Sequence, residues 1–193
     1  MPEPYALDLP EITTERLVLR LAEPGDVPAV VRYQQENQEH LAASRPRVTA
    51  EFFSEDFWHA QVHASRAEFR SDRSLRLLVF ERAEPGRVIG NINFTQIQRG
   101  PAQFCFLGYG VDREREGRGL MREALEAAIR YVFEEMNLHR VMANHAPWNE
   151  RSGGLLRRLG FVVEGYARDY LYLDGRWVDH VLTSLTNPNW RER

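Results

Sequence analysis

Lysine is missing from this sequence of 193 residues, in which all 25 basic residues are arginine. A P-loop nucleotide site needs a lysine on the phosphates, so that class of site is excluded. Cys105 is the single cysteine, which excludes a disulfide scaffold. No apolar run is long enough to span a bilayer, and residues 1–4 lack the basic and then apolar layout of a signal peptide. We therefore expect a cytoplasmic protein without a membrane partner.

The charges are nearly balanced, with a formal net charge of −3. No block of like charge marks a nucleic-acid arm, so we expect no direct contact with nucleic acid. The length fits one domain with a hydrophobic core, which we expect to cover residues 1–193. Composition leaves both a monomer and a homodimer open.

Hydrophobic periodicity predicts a mixed α/β (α+β) fold. Alternating apolar residues predict about seven strands, at residues 15–21, 75–80, 88–98, 102–111, 139–144, 161–173 and 177–185. Apolar residues at three- and four-residue steps predict helices, at residues 27–39, 50–69, 119–136 and 149–159. A turn is expected at 85–86. This order of elements favours a central mixed sheet with helices on both faces.

The most informative motif is a glycine-bearing turn between a strand and a helix. The strand pattern ends at Val111, Gly117 and Gly119 flank Arg118, and an amphipathic helix follows. The first N–H groups of a helix have no partner within it, and the positive end of the helix dipole lies there. The turn therefore predicts a phosphate site. A dinucleotide fingerprint needs a third glycine where Arg122 stands, so no nicotinamide cofactor is expected.

A second motif begins after the predicted strand 139–144. Asn149 and Ser152 open a short predicted helix, and Gly160 and Phe161 follow it. Asn149 is a good helix cap. Alternatively, its side-chain amide binds a ligand that lies between this strand and the preceding one, and Ser152 adds a hydroxyl contact.

The two motifs together resemble the GNAT family of acetyltransferases, and more closely its RimJ/RimL branch. Residues 114–119 match the family's Q/R-x-x-G-x-G/A turn, except that Glu114 stands where Gln or Arg is usual. Asn149, Ser152 and the Gly160–Phe161 pair match its N-x-x-S/A…G-F segment. The resemblance covers nearly the whole chain, and the segments 140–144, 151–153 and 185–190 look like the RimJ type.

The resemblance implies that acetyl-CoA lies in a splay between the fourth and fifth predicted strands, without a metal ion. The pantetheine arm would pair with the main chain around Leu107, Tyr109 and Val111. The residues whose N–H groups would meet the diphosphate are Glu116, Gly117, Arg118, Gly119, Leu120 and Met121. Asn149 and Ser152 would complete the cofactor site. RimJ-type enzymes acetylate the N-terminal alanine of a small-subunit ribosomal protein, which is therefore the expected partner.

The reaction needs an unprotonated amine. Roughly a tenth of an α-amine with a pKa near 8 is neutral at pH 7, against on the order of 0.04% of a lysine side chain. An α-amine therefore needs less help from a general base. His145, directly after the strand 139–144, is the candidate base, unless it is merely an exposed strand-end histidine. Asn149 is the second candidate catalytic residue.

Other groups keep alternatives open. Asn93 could orient the amine or a water, and Tyr109 and Tyr170 offer hydroxyls unless they belong to the core. Leu156 stands where some GNAT enzymes place a tyrosine that protonates the leaving thiolate, so another hydroxyl, water or solvent must supply that proton. Cys105 lies among apolar residues, which predicts a buried structural thiol and direct transfer in a ternary complex.

The acceptor side depends on the N-terminal helices, with residues Glu36, His40, Phe52, Phe53 and Trp58 expected to shape a groove. A small amine, another peptide N-terminus and a non-catalytic acyl-CoA-binding module remain alternatives. His59 and His63 are four apart on a predicted helix, but Ala60 replaces the glutamate that a zincin needs, so no metal site is expected.

Overall fold

A computed structural model describes residues 9–192, so the segment 1–4 discussed above lies outside the described residues. The strands are β1 (Glu11–Thr13), β2 (Leu17–Arg20), β3 (Leu75–Glu81), β4 (Glu84–Gln98), β5 (Phe104–Val111), β6 (Arg140–His145), β7 (Val162–Leu173) and β8 (Arg176–Thr186). They form one sheet in the order β1-β2-β3-β4-β5-β6-β8-β7. Only the β5–β6 pair is parallel among these strands. The predicted mixed sheet is confirmed, although β1 is too short to be visible in the sequence pattern.

The helices are α1 (Val27–Glu36), α2 (Gln38–Ala42), α3 (Glu55–Arg70), α4 (Leu120–Glu134) and α5 (Glu150–Arg158). The first two predicted helices are each interrupted. Asn37 separates α1 from α2, and its side chain donates to the Tyr33 carbonyl (3.0 Å) and accepts from the Arg113 N–H (3.0 Å). Ser54 separates a short 3-10 turn from α3, because its hydroxyl accepts from the Phe57 N–H and caps the helix.

Helices cover both faces of the sheet, as predicted. Leu75, Leu77 and Val79 of β3 belong to the main core, which α4 completes with buried side chains such as Leu125. The alternate residue Phe80 belongs to a second cluster with Val30 and Tyr33 of α1. This alternation follows from the period of two along a strand.

The turn between β3 and β4 differs from the prediction. It lies at residues 82–83, where Glu81 pairs with Glu84, whereas Pro85 and Gly86 lie inside β4. The next pair joins Phe80 to Val88, so the residues between them form a bulge. A bulge tolerates proline because no ladder hydrogen bond from its nitrogen is needed there.

The predicted splay lies between β5 and β6. These strands pair only at Phe104–Arg140, Cys105–Val141 and Phe106–Met142. Beyond these pairs, β5 continues along β4 and β6 continues along β8. Residues 107–111 therefore have no strand partner on the β6 side, and their main-chain groups line the opening.

Candidate active site

The glycine turn forms an anion cradle, the name used below for the main chain of residues 117–122. Gly117 and Gly119 have φ angles of 73° and 74°, in the left-handed region that favours glycine. Gly119 caps α4 at its positive end. Within residues 9–192, the N–H groups of 117–122 have no hydrogen-bond partner. A run of free donors at a helix start is suited to bind a phosphate group.

Arg16 lies beside the cradle, although the sequence motif does not include it. Its Nη1 donates to the Arg118 carbonyl (3.0 Å), and its Nε donates to the Glu123 carboxylate (2.7 Å). The Thr14 hydroxyl also donates to Glu123 (2.6 Å), so the loop after β1 is tied to the first turn of α4. Because Glu123 compensates its charge, Arg16 acts mainly by fixing the Arg118 carbonyl at the edge of the cradle.

The start of α5 supplies the second side of the splay. The Asn149 side-chain oxygen accepts from the Ser152 N–H (3.1 Å), so Asn149 caps α5 and keeps its amide nitrogen for a ligand. The hydroxyls of Ser152 and Tyr109 are hydrogen-bonded at 2.8 Å. Burial raises the pKa of Tyr109, and the bond to Ser152 opposes this only in part. Both groups are therefore protonated hydroxyls at neutral pH.

A cavity of about 500 Å³ lies on the α1 and α3 side of β3, β4 and β5, and is called the β4–β5 cavity below. Asn91 and Asn93 line it from β4, and the glycines Gly108 and Gly110 line it from β5. Its remaining wall is largely apolar and aromatic. Because β5 also borders the splay, a ligand in this cavity lies against the strand that would hold the cofactor.

Residues 16–162 match the acetyltransferase (GNAT) domain model. The chain belongs to the GNAT acetyltransferase family. It is 40% identical over 188 residues to the [ribosomal protein uS5]-alanine N-acetyltransferase of Escherichia coli (strain K12), with 96% of each chain covered. The ribosomal-protein-S5-alanine acetyltransferase structure from Vibrio fischeri has a TM-score of 0.90 and 33% identity, covering 95% of this chain and 100% of that one.

A further similar structure is that of Mycobacterium smegmatis RimJ in complex with CoA-disulfide. It has a TM-score of 0.85 and 25% identity, and covers 100% of this chain and 93% of that one. These likenesses agree with the predicted RimJ/RimL branch of the GNAT family. The chain is thus an acetyltransferase by family. The anion cradle lies at the glycine turn that matches the family's motif.

The candidate base of this GNAT chain, His145, is half-buried at the end of β6. Its Nδ1 lies 3.0 Å from the Ala146 carbonyl oxygen, which can only accept a hydrogen bond, so Nδ1 is the donor of this contact and Nε2 is the ring nitrogen left for a ligand. The ring packs on Gly153 of α5, where a Cβ atom would lie 2.8 Å from Cε1 and 3.0 Å from Nε2. Gly153 is therefore needed for this ring position, which sequence reasoning missed.

Cys105 and Leu156 are both in the core, with exposed fractions of 0% and 1%. Burial raises the pKa of Cys105 to about 12, so its thiol is protonated at neutral pH. Neither residue has access to a reacting group. These positions agree with direct transfer without an acetyl-cysteine intermediate.

The other predicted cofactor residues differ in which of their groups a cofactor can reach. Leu107, Leu120 and Met121 have buried side chains, so only their main chain is available to a cofactor. The Glu116 N–H donates to the Arg113 carbonyl (3.4 Å), and the Glu116 carboxylate pairs with Arg151 and with His40 (3.4 Å). The carboxylate of Glu116 thus joins the cradle side to α5.

The predicted acceptor residues do not form one surface. Phe52 and Trp58 line the β4–β5 cavity, whereas His40 pairs with Glu116 and Glu36 pairs with Arg87 (3.6 Å). In residues 9–192 no helix is long and apolar enough to cross a membrane. Over the same residues, no three metal-binding side chains of the His, Cys, Asp or Glu type are grouped.

Proposed function

We propose that this enzyme transfers the acetyl group of acetyl-CoA to the N-terminal α-amine of a ribosomal protein that begins with alanine. The observation that carries the proposal is the anion cradle of unpartnered N–H groups, which lies on the same strand–helix unit as the β4–β5 cavity. The 40% identity to an alanine N-acetyltransferase over 96% of both chains supports the choice of acceptor. Such an acceptor would be met in the cytoplasm, where ribosomal proteins are synthesised.

The cofactor would extend from the cradle along the splay. The N–H groups of residues 117–121 would bind the diphosphate, with Arg16 close by. The free main-chain groups of residues 107–111 would pair with the pantetheine amides. Acetyl-CoA supplies an activated acyl group, and the protein's task is to hold the thioester beside the acceptor amine.

The acceptor would enter through the β4–β5 cavity. In the described part of the chain, its lining includes Arg45 and Arg76 but no aspartate or glutamate. Such a cavity disfavours a polycation such as spermidine and favours an amine that binds in its neutral form. This charge pattern supports a peptide N-terminus over a polyamine as acceptor.

The proposed chemistry is direct attack in a ternary complex. The amine nitrogen forms a bond to the thioester carbonyl carbon, the C–S bond breaks, and the amine proton passes to His145 Nε2, directly or through a water. The thiolate takes a proton from the Ser152 hydroxyl as Ser152 takes one from the Tyr109 hydroxyl, and solvent returns a proton to Tyr109. The Asn149 amide nitrogen is free to hydrogen-bond a ligand in the splay.

The test uses the purified enzyme with acetyl-CoA and three acceptors: the N-terminal peptide of ribosomal protein uS5 beginning with alanine, the same peptide with a blocked N-terminus, and spermidine. We expect saturable acetyl-CoA binding and acetylation of the free peptide alone, detected by mass spectrometry. Acetylation of spermidine but not of the peptide would overturn the acceptor assignment. Acetyl-CoA binding without turnover on any amine would favour a non-catalytic module.

A further inference from the structure

Arg45 is a charged residue in the largely apolar wall of the β4–β5 cavity. Its guanidinium lies over the Phe52 ring, 5.0 Å from the centroid, and 5.9 Å from that of Phe53. Its Nη1 donates to the Gln34 side-chain oxygen (2.8 Å). Most of its five N–H donors remain available, because the described residues give the guanidinium no other hydrogen bond.

The charge of Arg45 is not compensated from within the described residues. The second arginine that lines the cavity, Arg76, pairs with Glu68 at 3.2 Å. Among residues 9–192, no carboxylate pairs with Arg45 and no acidic residue lines the cavity. A half-buried guanidinium without a counter-ion is suited to bind a carboxylate, which it can hold through two parallel hydrogen bonds.

Both the main chain and the side chain of Arg45 are held by contacts within the protein. Its carbonyl accepts from the Asp174 N–H (3.2 Å), so its loop is tied to the turn between β7 and β8. The neighbouring Arg47 pairs with the Asp174 carboxylate at 3.4 Å and does not line the cavity. The guanidinium of Arg45 is therefore held in the cavity wall before a ligand arrives, which reduces the entropy lost on binding.

We propose that Arg45 binds an acidic side chain in the first few residues of the acceptor protein and is a specificity-determining residue. This inference rests on the proposed function, since it needs the acceptor in the β4–β5 cavity. A cavity of about 500 Å³ is in the range that encloses a ligand of a few residues. If the alanine amine lies at β5, the next residues of the acceptor would come within reach of Arg45, which lines the same cavity.

The first experiment compares peptides on the wild-type enzyme. Each begins with alanine and carries a single glutamate or glutamine at the second, third or fourth position. We expect the glutamate peptide to have a kcat/KM roughly 10–100-fold higher at one of these positions. Equal values at all three positions would overturn the inference while leaving the proposed function intact. Failure to acetylate any alanine peptide would instead count against the proposed function.

The second experiment assigns the preference to Arg45. Arg45→Gln should remove the difference between the two peptides, and Arg45→Glu should prefer a lysine at the same position. Arg47→Gln is the matched control and should keep the wild-type preference. Acetyl-CoA affinity should stay unchanged in all three variants, which verifies that they are folded. An Arg45→Gln enzyme that keeps the glutamate preference would overturn the assignment. Should Arg45→Gln not fold, Arg45→Lys replaces it: the ammonium keeps the charge but cannot form two parallel hydrogen bonds, so the preference should shrink, and an undiminished preference would overturn the assignment.

Discussion

The hydroxyl groups of Tyr109 and Ser152 lie 2.8 Å apart and join β5 to α5 across the splay. They are protonated hydroxyls on both sides of the opening in which the thioester would lie. Leu156, at the position of a tyrosine donor in some relatives, is buried in the core. The pair is therefore our candidate for the route by which a proton reaches the departing thiolate.

We expect Ser152→Ala to lower kcat by roughly 100-fold, because a positioned proton donor contributes at least that factor. Tyr109→Phe keeps the aromatic ring and removes the partner hydroxyl, so its effect should be smaller. Steady-state kinetics with an alanine peptide would measure both, and acetyl-CoA affinity serves as the control for folding. Wild-type kcat in Ser152→Ala would mean that solvent protonates the thiolate.

The contact between His145 and Gly153 provides a test of the base that keeps the imidazole in the protein but moves it. A Cβ atom at 153 would displace the ring, whereas a Cβ at Gly154 would meet nothing closer than the Arg158 Nη1 at 3.6 Å. We expect Gly153→Ala and His145→Ala to lower kcat near neutral pH. Gly154→Ala, the matched control, should keep kcat and stabilise α5 by about 0.5–1 kcal/mol.

Steady-state kinetics measures the effect of each substitution on kcat, and thermal unfolding measures its effect on stability. Equal kcat values for Gly153→Ala, Gly154→Ala and the wild type would show that the ring position does not matter for catalysis. Wild-type kcat in His145→Ala would remove His145 from the mechanism.

A comparison of Asp with Asn at position 119 tests whether the cradle binds the diphosphate, because the two substitutions differ in charge and hardly in shape. Asn and Asp have nearly the same shape, and both tolerate a φ of 74° better than other residues. A Cβ at 119 meets nothing closer than the Arg16 Nη2 at 3.7 Å, so either side chain has room. We expect the acetyl-CoA Kd of Gly119→Asp to exceed that of Gly119→Asn by roughly tenfold or more, since only Asp repels the diphosphate. Equal affinities by calorimetry would place the diphosphate elsewhere.

The features that could be predicted from the sequence are local ones. The cradle depends on two glycines and a helix start, and the Asn149 cap depends on residues three apart, so short motifs suffice. Arg16 reaches the Arg118 carbonyl across 102 residues of sequence, and no local pattern encodes that contact. The β4–β5 cavity likewise draws its walls from three strands and several helices. That one domain covers residues 1–193 stays a prediction.

Glu123 links stability to pH through its contacts with Thr14 and Arg16. Burial acts to raise the pKa of Glu123, but hydrogen bonds from the Thr14 hydroxyl and the Arg16 amide and guanidinium lower it overall. A carboxyl group whose pKa is lowered on folding stabilises the protein above its unfolded pKa, and this contribution is lost as the pH falls through the folded value. The contribution should therefore be present at pH 7 and vanish in acid.

We expect Glu123→Gln to reduce the free energy of unfolding by about 1.5–3 kcal/mol at pH 7, and by less as the pH falls below about 4. Glu126→Gln is the control, because its carboxylate is half-exposed in a surface pair with Arg122 and should contribute at most about 0.5 kcal/mol. Urea unfolding at several pH values measures both. A Glu123→Gln difference that is the same at pH 7 and pH 3 would contradict the assignment.

Gly108 offers a way to close the β4–β5 cavity without disturbing β5. A Cβ atom at this position meets nothing within 4 Å, so a leucine side chain would extend into the cavity where the acceptor is proposed to bind. We expect Gly108→Leu to lower kcat/KM for an alanine peptide by roughly tenfold or more while acetyl-CoA affinity changes little. Gly165→Leu on β7 is the matched control, because it also meets open space and lies outside the cavity. Full peptide activity in Gly108→Leu would mean that the amine reaches the thioester from the other side of the sheet.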